Sequence, residues 1–279
     1  MVVLENFSLY GSLVSVAMAI IFAAFDFINT GRMPREKEAK SPERNIYRVL
    51  TNLLSIFAFA FITLVIISRW VETGHGPFSN MYEFAVAFAW GTVVMGLFFY
   101  GRYKTGAFRN IGLFIALLLL VFASVIHPKA EPLVPALQQS ALLSTHVASA
   151  VVAYGTLTIG FGAAVLFLIQ RRRNSSVLPT VEVLDVVSYQ SVLIGFPFLT
   201  ALIILGALWA DIAWGSYWSW DPKETTSLVT WLLYAAYLHA RVTRGWRETR
   251  SAILLIIGFA AILLTFFGNY IFTGLHAYG

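Results

Sequence analysis

Eight long runs of apolar residues follow one another along the chain, with only short polar connections between them. A transmembrane helix needs about 20 predominantly apolar residues to cross the hydrocarbon layer of a bilayer. Each run has roughly that length, so the sequence predicts an all-α polytopic membrane protein, a bundle of eight transmembrane helices. The predicted spans are Phe7–Ile28, Ile46–Ser68, Met81–Tyr100, Phe108–Ile126, Ala141–Ile169, Tyr189–Ala210, Thr225–Ala240 and Ser251–Phe272.

The composition leaves no room for a separate soluble domain. Only 12% of the 279 residues are charged, whereas a soluble domain has about a quarter. A soluble enzyme is thereby excluded, and residues 1–279 are expected to form a single transmembrane domain. The sequence has no cysteine, which excludes disulfides, thiolate metal sites and thiol nucleophiles from this chain. Any thiol chemistry must therefore come from a partner.

The distribution of basic residues predicts how the spans are oriented. Sixteen of the 19 Lys and Arg residues lie in or next to the connections after the first, third, fifth and seventh spans. The alternate connections hold only Arg69, Lys129 and Lys223. The positive-inside rule then places both termini on the outer side of the membrane. The sequence pI of about 9.5 reflects these inner loops, so no nucleic-acid partner is expected.

Local patterns predict how three helices begin. The stretch Ser175–Ser188 has a moderate amphipathic pattern, which predicts a helix lying on the inner membrane surface before the sixth span. Asn80 and Glu83 fit an N-cap and its reciprocal partner at the start of the third span. Asp221 and Glu224 form a capping-box pattern at the start of the seventh span.

The outer connection between the sixth and seventh spans, about residues 209–224, is rich in tryptophan. Four of the eight Trp residues and one Tyr fall within twelve positions there. A single Trp would fit the aromatic belt of a bilayer interface. Several indoles in one connection instead make a flat apolar surface with N–H donors at its edge, which favours a large planar ligand. Trp214, Trp218 and Trp220 are candidate contacts, while Asp221 fits either a helix cap or the binding surface.

Three of the five histidines are candidate metal ligands. His146 opens the long fifth span on a face of small residues, and His276 follows the last span, so both are expected at the outer side. Two neutral imidazoles are a normal axial pair for haem iron. His239 lies about four turns below the outer end of the seventh span, and an ionisable residue at that depth is expected to have a functional role. His75 and His127 are given no ligand role.

Several motifs resemble one family in the same order along residues 50–279. The segment Trp214-Gly-x-x-Trp218-x-Trp220-Asp221-Pro222-Lys223-Glu224 resembles the WWD signature of haem-handling proteins of cytochrome c maturation, above all the CcsA/ResC family of system II. Similar stretches surround His75, His146 and His239, and a further one is the terminal Gly274-Leu275-His276-x-Tyr278.

The resemblance implies that the protein transports haem across the membrane or presents it at the outer side. It implies that His146 and His276 hold haem b against the tryptophan connection formed by Trp214, Trp218, Trp220 and Asp221, for delivery to the CxxCH thiols of an apocytochrome c.

The resemblance also implies a protein partner and a location. A histidine at the position of His239 is an axial ligand of a second haem, whose other ligand comes from a membrane protein of the CcsB/ResB type. The chain would be one component of a cytochrome c synthase complex. It would lie in a bacterial inner membrane, or in a thylakoid membrane if its source is a plastid or a cyanobacterium.

Two other functions are compatible with histidines inside a helix bundle. A quinol-oxidising electron-transfer subunit would place two bis-histidine pairs on its own helices, but this sequence offers only His239 at depth. A secondary transporter would show an internal repeat, and no repeat at a fixed period is evident. Both alternatives are weaker than haem delivery.

Overall fold

A computed structural model of the chain describes residues 2–32, 46–76, 80–126 and 140–271. The regular structure within these ranges is entirely α-helical, so the predicted all-α fold is confirmed. The eight helices of the described ranges are α1 (Val2–Arg32), α2 (Ile46–Thr73), α3 (Met81–Tyr103), α4 (Gly106–Ile126), α5 (Ser140–Arg173), α6 (Val181–Trp214), α7 (Pro222–Thr243) and α8 (Glu248–Ile271).

Seven of these eight described helices, all except α7, are long and apolar enough to cross a membrane. The chain is therefore a multi-pass membrane protein. Helix α7 has 22 residues, which corresponds to about 33 Å of helix. Its first turn carries Lys223 and Glu224, and several hydroxyl side chains follow. The predicted seventh span is thus a helix of membrane length with a more polar first half.

The prediction of a separate surface helix at Ser175–Ser188 is wrong. Helix α6 begins after its N-cap Thr180 and runs without interruption to Trp214. Leu184 and Val187 in its first two turns are fully buried. An amphipathic pattern is satisfied equally by a membrane surface and by neighbouring helices. Here the apolar face packs into the bundle, and the sixth span is longer than its apolar run.

The helices pack around two apolar clusters. One cluster lies mainly among α1–α4, and the other lies mainly among α3 and α5–α8. Glycine permits the closest approach between the helices that join them. A Cβ on Gly155 of α5 would lie 2.8 Å from the backbone of Gly91 in α3. Small residues commonly serve this purpose between membrane helices, and here they hold α5 in the middle of the bundle.

The two ends of the bundle differ in character. We call the end formed by residues 215–221, the start of α5 and the end of α8 the tryptophan end. The opposite end, where α5 and α7 finish, is the arginine end. There Arg241 of α7 donates two hydrogen bonds to Asp185 of α6, at 2.6 and 2.5 Å, and Arg171 of α5 pairs with Glu248 of α8. Charged pairs therefore join the last four helices at the arginine end.

A buried ionic cluster joins the first three helices at the tryptophan end. Arg69 of α2 is 3% exposed, and its Nε donates to Glu83 of α3 at 2.9 Å. The same guanidinium lies 3.6 Å from Glu5 of α1. Tyr82 donates its hydroxyl to Glu5 at 2.8 Å. Buried charges are stable only when they are paired, so this cluster fixes where α3 begins.

Candidate functional site

A cavity lies at the tryptophan end, where α3, α5, α6, α7 and α8 meet the connection after α6. Its walls are mostly apolar, with a few polar groups directed at the same space. This combination is typical of small-molecule sites. The apolar lining includes Met81, Phe84, Phe88, Val147, Ala150, Leu202, Ile203 and Phe266, and the polar lining includes Asn80, His146, Tyr154, Lys223 and Glu224.

His146 is the imidazole of this cavity. Its Nδ1 lies 2.9 Å from the main-chain carbonyl oxygen of Leu202 on α6. A carbonyl oxygen can only accept, so Nδ1 carries a proton, and in the neutral ring the lone pair is then on Nε2. Metal-ligating histidines usually have this arrangement, because the bond at one nitrogen fixes the tautomer and the ring orientation for the other. The predicted ligand His146 therefore has a tautomer suited to coordination.

Glycine at position 206 creates the space for this imidazole. A Cβ at Gly206 would lie 2.8 Å from Cε1 of His146 and 3.1 Å from its Nδ1. Leu202 lies one turn earlier on the same helix. Helix α6 therefore provides both the hydrogen-bond acceptor, at Leu202, and the space for the ring, at Gly206. The His146 ring thus lies directly on the backbone of α6.

The tryptophans of the connection have different positions. Trp218 lies in the cavity wall, and so does Trp209 from the last turns of α6. Trp214 packs edge-to-face against Trp209, with ring centroids 4.8 Å apart. Trp220 is 69% exposed and meets Trp218 at a centroid distance of 5.9 Å. Of the three predicted tryptophan contacts, the structure brings Trp218 to the cavity lining, while Trp214 and Trp220 lie behind and outside it.

Asp221 caps helix α7. Its carboxylate accepts the Lys223 N–H at 2.9 Å, and the Glu224 carboxylate accepts the N–H groups of Asp221 at 3.3 Å and Ser219 at 2.8 Å. The predicted capping box is confirmed. Trp220, just before the cap, has a φ of +59°, a region that bulky residues rarely adopt. The cap therefore holds the strained backbone of Trp220 at the N-terminal end of α7.

The side chain of His239 is remote from this cavity. It lies on an exposed side of α7, in the half nearer the arginine end. Val229, Leu232 and Val242 share that side, and they are 46%, 52% and 69% exposed. The two described candidate ligands His146 and His239 therefore do not converge on one site. His146 is partly buried in the cavity wall, and His239 is exposed.

The remaining histidines divide into two groups. His276 and His127 lie outside the described residues. His75 is buried, and its Nδ1 lies 2.8 Å from the Gly76 carbonyl oxygen. It is not part of the cavity lining. Of the predicted outer pair of ligands, the structure therefore describes His146 but not His276.

The N-cap predicted at the start of the third span is confirmed. Asn80 accepts the Glu83 N–H at 3.0 Å, and it also lines the cavity. The Glu83 carboxylate accepts a hydrogen bond from the Asn80 side-chain amide at 3.2 Å and also pairs with Arg69, so it belongs to both the cap and the ionic cluster. The start of α3 therefore connects that cluster to the cavity wall.

Several cavity residues were not predicted from the sequence. Phe84 and Gly206 stand in apolar runs whose patterns do not distinguish cavity from core. Tyr217 and Lys223 lie inside the tryptophan-rich motif, and both line the cavity. The sequence does distinguish Lys223 in one respect, because it is one of only three basic residues outside the arginine-rich connections.

Comparisons with known proteins agree with this architecture. The family model described as "Cytochrome C assembly protein" matches residues 78–276. A "Cytochrome c biogenesis protein CcsA" of Guillardia theta is 39% identical over 256 residues, covering 81% of this chain and 84% of that protein. A CcsA protein of Pyropia yezoensis is 33% identical, covering 99% of this chain and 96% of that protein.

A cyanobacterial relative and a solved structure extend the comparison. The CcsA protein of Prochlorococcus marinus subsp. pastoris is 39% identical over 81% of this chain and 82% of its own length. A structure of "Cytochrome c Heme Lyase CcmF" shares the fold, with a TM-score of 0.65 at 20% identity over 95% of this chain. The chain spans 46% of that protein's length. The family match and the extent of these relatives establish that the chain belongs to the CcsA family of cytochrome c assembly proteins and acts in cytochrome c maturation.

Proposed function

We propose that the chain binds haem b in the cavity at the tryptophan end and delivers it to apocytochrome c. The observation that carries the proposal is His146, which lines the cavity and whose ring is oriented by the contact between Nδ1 and the Leu202 carbonyl oxygen at 2.9 Å, so that Nε2 is the nitrogen that would bind a metal. The imidazole stands among aromatic and aliphatic walls that suit a large planar macrocycle. The residues present therefore fit haem as a substrate.

The second axial ligand of this haem is His276. The sequence motif supports this assignment, because His276 follows α8, and the end of α8 contributes Thr265 and Phe266 to the cavity. Two imidazoles would keep the iron six-coordinate and low-spin during delivery. Trp218 forms part of the wall against the ring, while Trp214 and Trp220 support the connection from behind and outside.

The chemistry of delivery is chiefly positioning. Each cysteine S–H of a CxxCH motif adds across a haem vinyl C=C, so that sulfur bonds to one carbon and hydrogen to the other. The chain has no cysteine of its own, so the thiols belong to the apocytochrome. Holding the vinyl groups beside those thiols converts a bimolecular reaction into an effectively unimolecular one, which lowers the barrier to bond formation.

A second haem is shared with a CcsB/ResB-type partner at His239. An exposed imidazole within an apolar helix face is costly against lipid. A partner helix that supplies a second histidine would cover the face formed by Val229, Leu232 and Val242 and complete the iron ligation. The cavity haem is ligated within this chain, whereas the His239 haem requires the complex.

The tryptophan end faces the outer, apocytochrome side of the membrane. Support comes from the basic residues, which concentrate at the opposite end. Relatives from a cyanobacterium and from algae favour a thylakoid or bacterial inner membrane. Both termini then lie on the outer side.

The test is the haem content of the chain purified together with its partner. The preparation should show the reduced Soret and α bands of b-type haem. His146→Ala and His276→Ala should each abolish cytochrome c maturation, because loss of either ligand leaves the outer iron five-coordinate and easily oxidised. Added imidazole should partly restore both variants.

The matched control is His75→Ala, which removes a histidine at the same end that does not line the cavity. It should retain haem and activity. A wild-type complex that contains no haem would overturn the proposal. Normal maturation in both the His146 and the His276 variants would refute the paired ligation.

A further inference from the structure

Lys223 places a positive charge in the wall of the cavity. It is the second residue of α7, and it lines the same space as His146. Its ammonium lies 5.5 Å from the centroid of the Phe84 ring on α3. Ser227, one turn further along α7, also lines the cavity. The start of α7 therefore presents a cation and a hydroxyl to whatever binds there.

The carboxylates nearest in sequence to Lys223 accept hydrogen bonds from main-chain groups, although the charge of Asp221 is near enough to act on the Lys223 ammonium. Asp221 accepts the main-chain N–H of Lys223 itself as the helix cap. Glu224 accepts hydrogen bonds from Ser219 and Asp221. Across the ranges that the structure describes, no carboxylate forms an ion pair with the Lys223 ammonium. A partly buried cation beside an aromatic ring gains strongly from an anionic partner, because water solvates it poorly.

We propose that Lys223 binds a propionate carboxylate of the haem held by His146. This inference rests on the proposed function and adds a specificity determinant to the same site. Haem b carries its two propionates on one edge and its vinyl groups away from that edge. A propionate fixed at the start of α7 directs the vinyl groups away from Lys223. Lys223 thereby selects which edge of the macrocycle is presented to the thiols.

The test compares haem with its dimethyl ester, which has the same ring and iron but no propionate charge. Each is titrated into the haem-depleted complex, and the Soret band gives the dissociation constant. A hydrogen bond to a charged group is worth enough to make free haem bind about ten- to a hundredfold more tightly than the ester. Lys223→Met should reduce that ratio to about one, and Lys223→Arg should keep most of it.

The control is Lys104→Gln, which removes a lysine at the arginine end, where it caps α3 with its backbone. It should leave the ratio unchanged. If Lys223→Met keeps the full preference for free haem while His146→Ala loses the Soret band, the Lys223 inference is refuted and the proposed function stands. If the wild-type complex binds neither compound, the proposed function itself fails. A Lys223→Met variant that retains His146 ligation but not the preference supports the inference and excludes a folding defect.

Discussion

Replacing Gly206 by alanine tests whether the orientation of His146 matters. The new Cβ would lie 2.8 Å from Cε1 of the imidazole, whereas carbon atoms in ordinary contact are about 3.5 Å or more apart. The ring must therefore retreat by about 0.7 Å. Such a movement away from α6 lengthens the 2.9 Å bond from Nδ1 to the Leu202 carbonyl to about 3.6 Å, beyond hydrogen-bonding range.

Haem binding should be weakened by this substitution much more than the fold. Loss of a partner that orients a metal ligand typically lowers metal affinity 10- to 100-fold, so we expect a weakening of haem binding by about that factor. Alanine in a helix interior is favoured over glycine by about 1 kcal/mol, so the fold should not be weakened comparably. Soret titration of haem-depleted protein measures the first effect, and thermal unfolding in detergent measures the second.

The matched control is Gly101→Ala in α3, because a Cβ there would meet nothing within 4 Å. It has the same helix propensity change and should bind haem like the wild type. If Gly206→Ala also binds haem with wild-type affinity, while His146→Ala does not, the bond to Leu202 does not prepare the ligand and the reasoning is refuted.

Three further predictions address the other candidate residues. Trp218→Ala should lower haem affinity about two- to tenfold through lost aromatic contact, whereas exposed Trp220→Ala should change it little; equal losses in Soret titrations would contradict this. Asp221→Ala should lower the free energy of unfolding by about 1 kcal/mol, and Asp221→Ser should restore most of it; a stable Ser variant lacking haem would indicate direct contact instead. His239→Ala should remove a low-spin haem signal seen only when the partner is co-expressed, and that signal in the isolated chain would refute the shared site.

Much of the fold could be predicted because membrane length limits the alternatives. An apolar run of about 20 residues has few structures available in a bilayer, so eight runs predicted eight helices. The helix ends were less predictable. The polar first turn of α7 and the early start of α6 at Val181 are fixed by caps at Asp221 and Thr180 and by packing of Leu184. The packing of Leu184 is a contact between helices, which hydropathy does not report, whereas the Asp221 cap is local and was predicted from its sequence pattern.

The site could be predicted only where the chemistry is local in the sequence. His146 and Trp218 stand out because an imidazole is unusual in a membrane helix and clustered indoles are unusual in one short connection. Gly206, by contrast, is distinguished by the His146 ring that lies against it, and the sequence around Gly206 does not indicate that contact. Trp214 and Trp209 look equivalent in the sequence, yet one supports the other from behind. Which residue faces the cavity depends on how α6 is rotated, and a single sequence does not determine that rotation.

Under the proposed function, the positions of His146 and His239 give the two imidazoles different roles. His146 is partly buried in a cavity lined by five helices and is hydrogen-bonded to a carbonyl, so groups of this chain orient its ring. His239 stands among exposed apolar residues at the other half of the bundle, and the other histidines that the structure describes, His75 and His146, lie at the tryptophan end. A haem bound at His239 would depend on the partner and exchange with it. A haem at His146 would be held in one orientation, which is the requirement for covalent attachment on a defined edge.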